Sequence, residues 1–145
     1  MKVAIGSDHG GYDLKTFVAG YLKEQGYEVT DHGCYDKESV DYPDYAKAVA
    51  HDVKDKKTDC GVLICTSGQG MSMTANKVQG IRAALCTDEY AARMSRLHND
   101  ANILVMGANP VDEKNARVIM DVWFATEFEG GRHQRRVQKI DNSEN

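Results

Sequence analysis

Cys65 ends an apolar run, Gly61-Val62-Leu63-Ile64, and is followed by Thr66-Ser67-Gly68-Gln69-Gly70-Met71-Ser72. The run predicts a buried strand that delivers a thiol into a loop with two glycines and two hydroxyls, after which a helical pattern begins. In open α/β sheets ligands sit just beyond the carboxyl ends of the strands. Free amides at a helix N-terminus attract anions, a thiolate or a phosphate among them. The plainer role for a free cysteine is that of a small buried hydrophobe. What weighs against it is the company of polar residues elsewhere in the chain.

Three other segments carry chemistry. Ser7-Asp8-His9-Gly10-Gly11 follows a first apolar strand, Leu97-His98-Asn99-Asp100 follows a helical stretch, and Glu129-Gly130-Gly131-Arg132-His133-Gln134-Arg135-Arg136 comes near the end. Each has an ordinary use alone, as a helix cap, a turn or a solvated helix. Together with the Cys65 loop they supply carboxylates, three histidines, a thiol, hydroxyls and three arginines, a set suited to binding an anion and moving protons. A phosphocysteine mechanism needs an arginine six residues after the thiol, and that position is Met71. A flavodoxin-like flavin carrier is the alternative from another class, since Thr66-Ser67-Gly68 faintly resembles a flavin loop, but such a loop belongs after the first strand and this one follows the third. A thiolate acting as base remains. Removing a proton beside a carbonyl needs a base titrating near neutrality and donors for the enediolate oxygens, and Cys65, Ser67 and the loop amides supply both.

The elements that must position these groups alternate along the chain. Val3 to Ile5 predicts a strand, and Leu14, Phe17, Val18, Tyr21 and Leu22 give one face of a helix stopped by Gly26. A weaker strand covers 27–30 and a loop 33–42. Pro43 suits a first helical position, and Ala46, Val49, Ala50 and Val53 continue that helix. After the strand at 61–65 come a helix from near Ser72 to about Val78, a strand at 81–86 and a helix over about 88 to 97 capped by Thr87. A fifth strand spans 102–107, and a long amphipathic helix carries Ala116, Ile119, Met120, Trp123 and Phe124. Five strands each followed by a helix predict an α/β fold, a parallel sheet with helices on both faces. The expected organisation is a single domain over 1–140 and a frayed polar tail at 141–145.

Bulk properties exclude several classes. The chain has 145 residues, 41% hydrophobic and 28% charged, with a net charge of −4, which suits one globular domain and argues against a nucleic-acid partner. No apolar run reaches the roughly 20 residues that span a bilayer. Residues 1–5 do not have the shape of a signal peptide. The four cysteines lie at 34, 60, 65 and 86 without metal-ligand spacing. A cytoplasmic protein with reduced thiols and no metal is the expectation.

Six segments in one order, Ser7-Asp8-His9-Gly10-Gly11-Tyr12, Asp41-Tyr42-Pro43, Ala75-Asn76-Lys77-Val78, Gly80-Ile81-Arg82-Ala83-Ala84, His98-Asn99-Asp100-Ala101-Asn102 and Glu127-Phe128-Glu129-Gly130-Gly131-Arg132-His133, resemble ribose-5-phosphate isomerase type B, in a wider family that includes galactose-6-phosphate isomerase. The likeness runs to about Ile140. It implies a Rossmann-like three-layer α/β/α sandwich and an aldose–ketose isomerase with no metal and no organic cofactor. By resemblance Cys65 is the base between C1 and C2, Ser67 assists at the carbonyl oxygens, and His98 opens the sugar ring. Asp8 and Asn99 hold sugar hydroxyls, while His9, Arg132 and Arg136 contact the phosphate. Loop amides from Ser67 to Met71, those of Gly68 and Gly70 included, stabilise the enediolate. The resemblance further implies a homodimer or dimer of dimers, sites between subunits, and a His98 that serves the neighbour's site. The chain departs from the family at Thr66, where glycine is common, and at Asn109, where arginine is frequent. The expected substrate is ribose 5-phosphate, with a hexose 6-phosphate or a free sugar as alternatives.

Overall fold

The computed structural model describes residues 1–143. Its sheet is built from β1 (Lys2–Ser7), β2 (Glu28–Asp31), β3 (Cys60–Cys65), β4 (Ala83–Leu85) and β5 (Ile103–Gly107). All neighbours pair in parallel, in the order β2-β1-β3-β5-β4. Six helices accompany it: α1 (Tyr12–Glu24), α2 (Tyr42–Lys54), α3 (Gln69–Ala75), α4 (Glu89–Leu97), α5 (Glu113–Ala125) and α6 (Arg132–Asp141). The five-stranded parallel sheet of the sequence reading is present, with helices on both faces.

Side-chain alternation along each strand divides the core into two layers. Val3 and Ile5, Val62 and Ile64, and Leu104 and Met106 point to the face covered by Leu14 and Val18 of α1, Ala92 of α4, and Ile119, Met120 and Trp123 of α5. Ala4, Leu63, Cys65, Ile103 and Val105 point the other way, against Ala46, Val49 and Ala50 of α2 and Met71 and Ala75 of α3. Period-two geometry therefore assigns Cys65 to the α2/α3 side. Leu63, Ile64 and Leu104 are fully buried, and truncating any of them to alanine should cost about 2–5 kcal/mol through lost transfer and a residual cavity.

Several boundaries differ from expectation for local reasons. α3 begins at Gln69, not near Ser72, because Gly68 takes a left-handed conformation (φ 80°) that turns the chain at once into the helix. Asp88, not Thr87, caps α4, its carboxylate accepting from the Ala91 amide at 2.8 Å. β4 is only three residues long. Arg82, expected inside it, instead donates its amide to Asn102 Oδ1 at 2.8 Å. Asp141, expected in the polar tail, closes α6 and pairs with Arg82 at 2.8 Å. Glu144 and Asn145 lie outside the described residues.

Candidate active site

The strand order reverses direction between β1 and β3, whose carboxyl ends lie side by side: Ser7 is in register with Ile64. Such a switch point opens a crevice between the two following loops. Those loops are Asp8–Gly11 and Cys65–Gly70. The first forms a 3-10 turn, His9–Gly11, seated directly on β3. A Cβ at Gly11 would come within 2.5 Å of the Ile64 carbonyl oxygen, so only glycine permits this approach.

The second loop is tied on its other side to the segment after β5. Ala108 donates its amide to the Cys65 carbonyl and Asn109 to that of Thr66, both at 2.9 Å. A Cβ at Gly107 would stand 2.5 Å from the Ser67 carbonyl carbon, and one at Gly68 2.4 Å from Leu85 Cδ1. Ser67 Oγ accepts from the Gln69 amide at 3.3 Å. The loop is thus fixed by backbone bonds and close packing. Cys65 is buried, whereas Thr66 and Ser67 beside it are exposed. Gly70 lies against the Tyr42 ring, 2.4 Å from where its Cβ would be. Met71 contributes its backbone here, since its side chain is wholly buried in the α2/α3 layer.

Asp8 is buried, and its Oδ1 accepts from the Gly11 amide at 3.1 Å. His9 is exposed and its Nδ1 faces the Val40 amide at 3.2 Å. An Nδ1 that accepts assigns the proton of the neutral ring to Nε2, which becomes a donor toward an anion. The other thiols stand in different surroundings. Burial pushes Cys60 up to about 12 and Cys86 up to about 11, and Cys34 Sγ lies 3.9 Å from Ser7 Oγ.

The remaining candidates gather elsewhere. α4 runs back from the carboxyl edge, so His98 at its C-terminal cap returns to the amino edge of the sheet. Arg82, just before β4, donates to the Asn99 and Asp100 carbonyls at 3.1 and 3.0 Å. α6 is held at the same end by the Arg82–Asp141 pair and by the Glu129 amide on the Leu97 carbonyl at 3.0 Å. Arg132 and Arg136, four residues apart, are exposed on α6 while His133 and Val137 turn inward. Among the described residues neither arginine forms an ion pair. The four intervals of β5 between Ile103 and Gly107 alone separate the two edges by roughly 13 Å. Within one chain the structure brings Asp8, His9, Cys65, Ser67, Gly68, Gly70 and Met71 together, and His98, Asn99, Arg132 and Arg136 together. It does not bring the first group to the second.

The sequence reading gave no role to His133 or Glu129. The His98 and His133 rings stack with centroids 4.1 Å apart and planes 10° apart. Glu129 spans them, its carboxylate 3.8 Å from His98 Nε2 and 3.9 Å from His133 Nε2. The ligand atoms of the three residues lie within 4.8 Å of one another. A metal ion sits in the plane of each imidazole that binds it, however, and two nearly parallel stacked planes share no such point without one ring turning. The cluster suits the holding of a proton better than metal ligation.

Residues 3–140 match the family model described as Ribose/Galactose Isomerase. The chain is 46% identical over 139 residues to ribose-5-phosphate isomerase B of Escherichia coli (strain K12), covering 96% of this chain and 93% of that one. It is 42% identical over 142 residues to D-erythrulose-4-phosphate isomerase of Pectobacterium atrosepticum, covering 97% and 93%. The fold superposes on ribose-5-phosphate isomerase B of Clostridium thermocellum with a TM-score of 0.98 and 56% identity, over 99% of this chain and 97% of that one.

Proposed function

The chain belongs to the ribose/galactose isomerase family, and from that premise we propose that it interconverts ribose 5-phosphate and ribulose 5-phosphate with Cys65 as the proton-transferring base. It is a sugar-phosphate aldose–ketose isomerase. The observation that carries the assignment of the base is the position of Cys65: a buried thiol at the β1/β3 switch point, opening onto a loop held rigid from both sides.

The chemistry follows from that position. Cys65, as thiolate, takes the proton from C2 of the open-chain aldose, and the electron pair moves to the carbonyl oxygen to give an enediolate. The same thiol returns the proton to C1, leaving the ketone at C2. Ser67, exposed two residues after the buried thiol, exchanges the proton between O1 and O2. Amides of Gly68, Gly70 and Met71 face the developing charge, an arrangement that gains strength where water is excluded. Asp8 and Asn99 hold hydroxyls. His9 Nε2–H, Arg132 and Arg136 hold the phosphate. His98 moves the proton that opens the sugar ring.

These roles need two copies of the chain. Cys65 and His98 stand at opposite edges of one sheet, so a complete site combines the carboxyl edge of one subunit with the amino edge of another, as in a closed two-fold dimer. A dimer with paired sites is the assembly this favours; among the described residues no helix is long and apolar enough to cross a membrane.

Ribose 5-phosphate is supported as the substrate by the 46% and 56% identity to ribose-5-phosphate isomerases B. A coupled isomerase assay across ribose 5-phosphate, erythrose 4-phosphate, hexose 6-phosphates and the free sugars tests the assignment. The highest kcat/KM is expected on ribose 5-phosphate. A higher value on any other sugar would replace it.

A further inference from the structure

His133 carries no role in the mechanism above, yet it is the buried member of the cluster around His98. Its side chain is 6% exposed against 37% for His98. Among the described residues its Nε2 has no hydrogen-bond partner and is buried. A buried ring nitrogen left in this state is costly, and the Glu129 carboxylate shared with His98 stands 3.9 Å from it, beyond hydrogen-bond reach. The ring itself is fixed: His133 lies on the inner face of α6 with Val137, and its amide bonds to the Gly130 carbonyl at 3.1 Å. His98 caps α4, its amide bonded to the Met94 carbonyl at 2.9 Å, but its side chain is 37% exposed and its ring is held by the stack.

We propose that His133 is a positioning residue for His98: its buried ring, stacked at 4.1 Å, holds the His98 imidazole in one orientation and leaves the Glu129 carboxylate to a single proton on the pair. The proposal rests on the reading of His98 as the ring-opening group. The groups that face His133 agree with it. Burial, the adjacent His98, and Arg132 and Arg136 of α6 all hold its pKa below the ordinary histidine value, with Glu129 alone opposing them. A His133 held toward its neutral form leaves the Glu129 carboxylate to face His98, the ring that the proposed mechanism uses in turnover. Two imidazolium rings in face-to-face contact next to two arginines would repel each other.

Nuclear magnetic resonance of histidine-labelled protein, titrated from pH 8 to 5.5, tests the pairing directly. His133 is expected to stay neutral over this range; its protonation near the ordinary histidine value overturns the proposal. Kinetics on ribose 5-phosphate test the positioning. His133→Phe keeps a flat ring in the stack and should retain kcat within threefold. His133→Leu removes the stack and should lower kcat tenfold or more with KM within twofold, at unchanged circular dichroism. Equal kcat for the two variants overturns it. His98→Asn, measured alongside, separates the readings: full activity in that variant ends the ring-opening role, while the titration of His133 still decides the pairing of His98 with His133.

Discussion

Thr66 occupies the space that a side chain at Gly10 would need: a Cβ on Gly10 would stand 2.1 Å from Thr66 Oγ1. The contact joins the two loops of the switch point, the turn carrying Asp8 and His9 and the loop carrying Cys65 and Ser67. Gly10→Ala should force Thr66 out of its rotamer or lift the turn, at a cost of about 1–3 kcal/mol if neither yields. A fall of roughly tenfold in kcat/KM is expected. The double variant Gly10→Ala/Thr66→Gly removes the clash and should recover most of the loss. Wild-type kinetics in Gly10→Ala, or no recovery in the double variant, would show that this contact does not set the loop spacing.

The proposed division of the site between the edges of two subunits gives a test that needs no structure of the assembly. Cys65→Ala and His98→Asn should each be nearly inactive. Unfolded and refolded together in equal amounts, half of the dimers become hybrids. Each hybrid holds one site with both lesions and one intact site, so about a quarter of wild-type activity should return. A mixture no more active than its components would mean that both residues serve the same chain's site.

Much of this arrangement is legible in the sequence. The apolar run before Cys65 and the glycines after it announce a strand-loop-helix, and period-two alternation already sets Cys65 on the face opposite Ile64. Strand order is not written there. That β3 pairs with β1 and β5, leaving β4 at the edge, depends on long-range packing. His133 was equally hidden. Its motif reads as a basic helix, and only the return of α6 toward α4 lays its ring on His98. Thr87 and Asp88 are both good caps, and the choice between them follows from where the β4 strand ends.

Thiol chemistry should distinguish Cys65 from two of its companions. Burial raises Cys60 to about 12 and Cys86 to about 11. A raised thiol pKa keeps the neutral, unreactive form at pH 8, so iodoacetamide should leave both unmodified in the folded protein. Loss of activity should follow alkylation of Cys65 mapped by peptide mass spectrometry, and ribose 5-phosphate should slow it. Cys65→Ala should lower kcat by about 10²-fold or more. Inactivation that tracks Cys60 or Cys86 while Cys65 stays free would move the base elsewhere.

The lowered pKa of His133 makes a statement about stability. The unfolded chain protonates this histidine near its ordinary value, about 6.5, while burial and the neighbouring cations keep it neutral in the fold. Between those two pKa values the unfolded state binds more protons. The contribution is therefore fully present above about pH 6.5 and is lost as pH falls. Wild-type Tm should drop between pH 7 and pH 5, and His133→Phe should flatten that part of the decline. Parallel curves for the two proteins would mean that His133 protonates freely in the fold.

Arg132 and Arg136 offer the sharpest test of the phosphate. They lie one helical turn apart on the exposed side of α6, close enough for two guanidinium groups to share one anion's oxygens. A purely structural pair would contribute about 1 kcal/mol at most, because exposed charges are screened by water. The two roles therefore differ in kinetics. Arg136→Ala should raise KM for ribose 5-phosphate by the equivalent of about 2 kcal/mol, the worth of a charge-assisted contact. It should leave Tm within a degree or two. Arg135 is also exposed on α6 but projects about 100° away around the helix, so Arg135→Ala is the internal control and should change KM less than twofold. His9→Ala should act in the direction of Arg136→Ala, since its Nε2–H is the donor that the Val40 contact leaves free. Matching behaviour of Arg135→Ala and Arg136→Ala, or a KM that neither changes, would place the phosphate away from α6 and return the free sugar to consideration as substrate.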